Sequence, residues 1–474
     1  MTATTHSQVP TIEDKTIQPI PLNERHGKPR DLFTIWFGSN IMVLTIVTGA
    51  LGTTVFGLDF WSAVGAVAIG NLLGAIFMAL HSAQGPQLGV PQMVQTRGQF
   101  GSYGSLLVVI VTVLMYVGFF AANLVLGGQA LSTIIPGLPV PAGIIIIGIA
   151  SVVATIYGYR LIHAYTRILS VVSGLALIVA FILLMTTMGG ASEAVAAGGF
   201  NWSGFMGTLS VAALWQIAYA PYVSDYSRYL PQGIGSKQAF WTSYWGCVLG
   251  ATLPMILGAL VGAKLLALGM NADNVVEGMG VLMEPLTVLI VGIFSLGVAA
   301  TNSMNLYCGV LSTLTVVQTF RPKWTPRAGT RAVTAVIIFA VALTLALVGA
   351  DNFLVYYSNF LALLLYVLVP WTAINLVDYY LLKHGQYRVS DFFRQDGGIY
   401  GRFNWVAIGC YILGALVQVP FMVTELYTGP IGAALGGVDI SWIVGLIIIC
   451  PVYFFAQRAS ERRSPLRELV DAGQ

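Results

Sequence analysis

The sequence predicts an all-α polytopic membrane protein of twelve transmembrane helices, and three observations predict it. The chain of 474 residues is 57% hydrophobic and only 9% charged, whereas a soluble domain carries about 25% charged residues on its surface. Apolar runs of about 20 residues, the length that crosses a hydrocarbon core as a helix, recur from end to end. The basic residues gather in alternate connections between those runs, as they do in a membrane protein of defined orientation. The 53 glycines further suit close packing of helices in lipid.

Residues 1–30 form a polar tail without the apolar core of a cleavable signal. Arg25, Lys28 and Arg30 stand just ahead of the first span and mark a cytoplasmic start. Spans follow at 31–55, 60–80, 104–131, 139–157, 162–187, 205–224, 239–267, 284–310, 331–349, 352–374, 403–423 and 439–456. Helices 1–5 (31–187) and 6–10 (205–374) make two halves, 403–456 holds helices 11 and 12, and 457–474 is a second cytoplasmic tail. The division at Ala350–Asn352 is the least marked, and Pro370 interrupts the tenth span near its end.

With the N-terminus inside, every one of the 22 Lys and Arg residues except Lys264 falls on the cytoplasmic side. Asp59, Glu193, Asp273, Glu277, Glu284, Asp351, Glu425 and Asp439 fall outside or at the outer edge. Both termini are therefore expected in the cytoplasm, and the chain in the cytoplasmic membrane.

Several function classes fall away. Almost no soluble mass and no G-x-x-x-x-G-K-[ST] loop point to secondary rather than ATP-driven transport. No short filter motif repeats, which counts against a channel. No basic stripe with interleaved aromatics suggests a nucleic-acid partner. Cys247, Cys308, Cys410 and Cys450 lie singly in apolar runs, without metal or redox spacing. No enzyme activity, cofactor or structural metal is expected, and a monomer suffices.

Charged groups are nearly absent from the spans, so the polar ones carry the interest. The first span holds Gly38, Ser39 and Asn40, poor helix formers that hydrocarbon tolerates only beside a protein cavity. They predict either an unwound helix at a ligand or ion site, or a packing notch. In the third span Phe119 and Asn123 are four apart on one face. An aromatic plate with an amide at its edge suits a small planar heterocycle. Trp215 and Gln216 repeat that chemistry at mid-depth of the sixth span, followed by Tyr219 and by Pro221, which bends the helix. Asp225 and Arg228, three apart at its cytoplasmic end, either pair locally or hold a gate.

The eighth span carries the densest polar cluster, Thr301, Asn302, Ser303 and Asn305, whose amides cannot both face lipid cheaply. The tenth offers Tyr356 and Tyr357, with Ser358 and Asn359, as a lid. The irregularities of spans one and six lie five spans apart, as in two five-helix repeats of inverted topology with discontinuous helices 1 and 6.

Four motifs, SAQGPQLGVPQMVQTRGQFG (82–101), GFFAANLVLGGQAL (118–131), YAPYVSDYSRYLP (219–231) and ATNSMNLY (300–307), resemble the nucleobase:cation symporter-1, or purine–cytosine permease, family. The resemblance is to its fungal-type cytosine/purine branch and that branch's bacterial relatives, over roughly residues 25–460. It implies an amino-acid/sodium-symporter-like fold and alternating access driven by a cation gradient. It also implies a planar heterocycle held between aromatics of the third and sixth spans, here Phe119 and Trp215, with Asn123 and Asn305 at its edge and Asn302 beside them. The sixth-span match is loose by one or two residues, so Trp215, Gln216 and Tyr219 all stand as ligand-facing alternatives. The third-span aromatic is Phe where many members have Trp. Sodium-coupled members supply two eighth-span hydroxyls; the matching positions here are Ala299 and Ala300, with Thr301 adjacent. A sodium ion would then rest on carbonyls around Gly38 and Ile41, and coupling to H+ or Na+ stays open.

The expected function is import of cytosine or purines such as adenine, guanine and hypoxanthine by cation symport. One alternative is a same-fold symporter for allantoin, a hydantoin, a nucleoside or a thiamine-like compound. Another is an amino-acid or amine transporter, which would use an exposed helix end or an intramembrane carboxylate.

Overall fold

Backbone polar groups in lipid must be bonded within their own segment, so each apolar run becomes a helix. The computed structural model describes residues 17–157, 159–186, 198–272 and 274–462. The tail before residue 17, the side chain of Arg160, Glu193, Asp273 and the tail from residue 463 lie outside the described residues.

In chain order the helices are α1 (Pro29–Asn40), α2 (Val43–Thr54), α3 (Phe60–Ser82), α4 (Gly85–Leu88), α5 (Gln92–Phe100), α6 (Leu106–Ile134), α7 (Val140–Tyr157) and α8 (Tyr159–Thr186). They continue as α9 (Trp202–Ile217), α10 (Ala220–Ser227), α11 (Ser236–Ala267), α12 (Val275–Leu282), α13 (Thr287–Phe320), α14 (Ala328–Gly349) and α15 (Phe353–Leu376). The last are α16 (Trp405–Gln418), α17 (Pro430–Ala434) and α18 (Ser441–Arg462). Among the described residues, 7 helical stretches are long and apolar enough to cross a membrane, or 8 if α1 and α2 count as one broken span.

Four local expectations change. The first-span break falls at Ile41–Met42, where the axis turns by 61°, and Gly38–Asn40 form the last turn of α1. The sixth span does not bend at Pro221: α9 ends at Ile217 and α10 starts at Ala220, with Pro221 in its first turn. There the missing N–H of proline costs nothing, because first-turn donors lack intrahelical partners anyway. Pro370 does not end α15, which runs on to Leu376. The 82–101 segment, which the predicted spans leave as a connection, contains α4 and α5, and all of α5 is buried.

The helices pack as two bodies. One joins α1, α2, α3, α9, α10 and α11; the other joins α6, α7, α13 and α14. Within the first body, α2 and α11 meet backbone to backbone. A methyl group on Gly258 would stand 1.8 Å from the Ile46 carbonyl oxygen, and one on Gly49 2.0 Å from that of Met255.

Candidate functional site

Both helix breaks open toward the seam between the bodies, and side-chain hydrogen bonds hold the backbone around them. Thr301 Oγ1 donates to the Ser39 carbonyl at 2.6 Å, Asn40 Nδ2 to that of Trp36 at 2.6 Å, and Tyr116 OH to that of Pro221 at 2.9 Å. Trp215 Nε1 donates to Asn40 Oδ1 at 2.7 Å and so ties one break to the other. Irregular backbone is stable at this depth only with such partners.

A small cavity of about 20 Å³ lies at this point. The first body supplies Met42, Trp215, Ala218, Tyr219 and Tyr222; the second supplies Phe119, Asn123, Thr301 and Asn305. That volume is room for about one water molecule, so in this arrangement the wall is closed on itself and must open to admit a heterocycle. Phe119 meets Trp215 edge-on with centroids 6.1 Å apart. A flat ligand stacked between two rings needs about 7–8 Å, twice the contact distance. The rings must therefore part and turn before a heterocycle can lie between them.

Asn123 is 1% exposed, and neither its Oδ1 nor its Nδ2 has a hydrogen-bond partner. A buried amide left unbonded costs about 1–3 kcal/mol. It therefore presents a donor and an acceptor, both free, to whatever enters. Asn305 Oδ1 accepts from Tyr222 OH at 2.5 Å, and its Nδ2 donates to Asn302 Oδ1 at 3.2 Å. Asn302 in turn donates to the Phe120 carbonyl at 3.3 Å, so it stands one layer behind the cavity wall.

The sixth-span alternatives separate. Trp215 and Tyr219 line the cavity, whereas Gln216 Nε2 donates to Asn71 Oδ1 at 2.6 Å and to the Cys247 carbonyl at 3.2 Å. Successive helical residues point about 100° apart, and that step turns Gln216 into the first body. Of the residues considered for a cation, Ile41 sits in the break and Thr301 beside it, Ala299 contributes no side-chain oxygen, and Gly38 lies within α1.

Asp225 and Arg228 do not reach a watery edge; both are buried, because the 82–101 segment covers the end of α10. Asp225 Oδ1 accepts the Gln92 N–H at 2.8 Å, at the start of α5. Arg228 Nη2 donates to Tyr229 OH at 3.1 Å and to Tyr307 OH at 3.2 Å. Tyr356 is 58% exposed and turned away from the cavity, while Tyr357 is buried with its hydroxyl 2.8 Å from Thr48 Oγ1. The residue that covers Phe119 is Phe360, at 5.1 Å and edge-on, three positions after Tyr357. Gly118 makes room for it, since a methyl there would stand 2.3 Å from the Phe360 ring. Sequence reading missed Phe360 and Tyr222; each lies three residues beyond a named tyrosine, on the same helix face.

Two larger cavities flank the seam. One, of about 420 Å³, includes Gln129, Asn274 and Asp351; the other, of about 350 Å³, includes Asn359, Glu425 and Asp439. Both carry acidic residues of the connections assigned to the outside.

A family model described as a permease for cytosine/purines, uracil, thiamine and allantoin matches residues 19–445. The putative purine-cytosine permease YxlA of Bacillus subtilis (strain 168) is 40% identical over 446 residues, covering 94% of this chain and 95% of the relative. The purine-cytosine permease fcyB of Emericella nidulans is 24% identical over 450 residues, covering 92% and 86%. In fold, the chain resembles Mhp1, a nucleobase-cation-symport-1 family transporter solved in a closed conformation with bromovinylhydantoin bound, at TM-score 0.76 and 20% identity over 96% of this chain and 97% of that one. The bacterial relative shares more identity than the fungal one, so these matches establish the family rather than a fungal branch within it. The chain is a membrane transporter of the purine–cytosine permease, or nucleobase:cation symporter-1, family.

Proposed function

We propose that the protein imports a nucleobase, cytosine or a purine, by cation-coupled symport with alternating access across the cytoplasmic membrane. The observation that carries this reading is the Asn123 amide, buried and unbonded on both atoms, facing a cavity walled by Phe119 and Trp215. Nucleobases present a flat ring with adjacent donors and acceptors on its edge, the complement of that wall. The names of the relatives support the same substrate class.

The reading includes twelve crossings, with helices 1–5 and 6–10 as inverted repeats and both termini cytoplasmic. In support, the helical stretch Ala328–Leu382 has 55 residues and would be about 80 Å long if straight, far beyond the ~30 Å hydrocarbon core. A 3-10 turn at Ala350–Asn352 interrupts it, where the reading puts the boundary between the ninth and tenth spans.

Counterflow in proteoliposomes tests the substrate. Labelled cytosine or adenine should exchange saturably, with competition from nucleobases and none from hydantoins, allantoin, nucleosides or thiamine. Exchange of one of those compounds without nucleobase competition would overturn the substrate assignment. Uptake with sodium removed, and separately with the pH gradient collapsed, identifies the coupling ion.

A further inference from the structure

On the nucleobase reading, the route from the cavity to the cytoplasm must open after substrate binds, and in this structure one face of α10 closes it. Tyr222 and Tyr226, four apart, share that face, and Tyr229 follows in the turn just beyond the end of α10 at Ser227. Tyr222 OH bonds Asn305 at 2.5 Å in the cavity wall. Below it the Tyr226 ring packs on that of Tyr307 at 5.9 Å. Lower still, Tyr229 OH and Arg228 Nη2 reach Tyr307 OH at 3.4 and 3.2 Å. Partners 305 and 307 are both on α13, in the opposite body. Only the first of these contacts lies within the ligand cavity.

Both ends of the Asn305 amide are engaged, Oδ1 by Tyr222 and Nδ2 by Asn302. A ligand N–H that takes Asn305 Oδ1 from within so small a cavity competes with the tyrosine hydroxyl for it. We propose that Tyr222 links substrate binding to cytoplasmic opening: the ligand displaces its hydroxyl from Asn305 and thereby releases the uppermost contact of the α10–α13 seal. Tyr116 makes the displacement directional. Its ring stands edge-on to Tyr222 at 4.6 Å and its hydroxyl holds the Pro221 carbonyl, so a shift of Tyr222 works against the base of α10 rather than a loose loop.

Cys308 reports the seal. It is buried on α13, beside Asp225 and Tyr226 of α10. A protein carrying Cys247→Ala, Cys410→Ala and Cys450→Ala keeps it as the sole thiol. In proteoliposomes, alkylation by N-ethylmaleimide is followed with and without cytosine or adenine, with binding of the same labelled compounds measured in parallel. The parent should label slowly alone and faster with a bound nucleobase. Tyr222→Phe should label roughly three- to tenfold faster without any nucleobase, the expected effect of losing one neutral hydrogen bond, and should not respond further to nucleobase.

Slow, parent-like labelling of Tyr222→Phe, or a variant that still responds to nucleobase as the parent does, overturns the proposal. So does a parent whose labelling is slowed by a nucleobase that binds. If Tyr222→Phe does not fold, Asn305→Ala removes the same hydrogen bond from the other side, and its ligand-free rate decides in the same way. If neither cytosine nor adenine binds the parent, the nucleobase reading fails, while the ligand-free rates still decide whether Tyr222 holds the seal.

Discussion

At Asn123 an amide is buried with nothing to bond, and its two functions pull apart under substitution. Asn123→Leu removes an unbonded polar group of similar size, so the folded protein should hold its stability or gain about 1 kcal/mol. Nucleobase binding should disappear; thermal unfolding and radioligand binding, measured on one preparation, check the pair. Asn305→Ala should likewise leave a folded protein but abolish uptake, and normal uptake would remove Asn305 from the site. Asn123 and Asn305 were legible in the sequence because amides deep in apolar spans must face protein, and Phe119 because it lies one turn from Asn123 on the same face. Gln216 was not, because its amide chemistry looked equivalent to that of a ligand contact. The direction of its side chain depends on where α9 stops, one residue later. Nor was the Tyr222–Asn305 bond, which joins residues 83 apart.

Among the elements, the breaks were partly legible. Gly-Ser-Asn in the first span and proline in the sixth announced irregular helices, but each break sits one or more residues from the marker. At the first break the displacement has a physical cause: Thr301, from another span, donates to the Ser39 carbonyl that the end of α1 leaves free. α5 was illegible because its sequence, QMVQTRGQF, is polar, and only its place between α10, α13 and α15 explains why it is buried. On α6, Gly118→Ala should push the Phe360 ring off Phe119. The expected result is a severalfold rise in KM for uptake with little change in thermal stability, because the ring is the far end of a flexible side chain. An unchanged KM would show that Phe360 does not shape the site.

For the molecule as a whole, the helical membrane class could be read from apolar run length. The tertiary role of a single buried cation could not. Arg97 Nη1 reaches Gln318 Oε1 at 2.6 Å and the Phe392 carbonyl at 2.8 Å; its Nη2 reaches the Thr315 carbonyl at 2.8 Å and Thr319 Oγ1 at 2.9 Å. It thus fastens α5 to α13 and to the segment after α15. Arg97→Ala should destabilise the fold by about 3 kcal/mol or more, because it strands buried acceptors. Arg97→Lys should recover only part of this, since an ammonium lacks the planar fork; melting curves in detergent rank the three proteins. The glycine contacts between α2 and α11 bear on how motion travels. With no side chain between them, Gly49 and Gly258 leave the two helices no compliant layer. Such a contact favours movement of the two helices together, as one block. A single added carbon at Gly258 would run into the Ile46 carbonyl, and because that obstacle is backbone rather than a flexible side chain, the two helices would have to separate along their length.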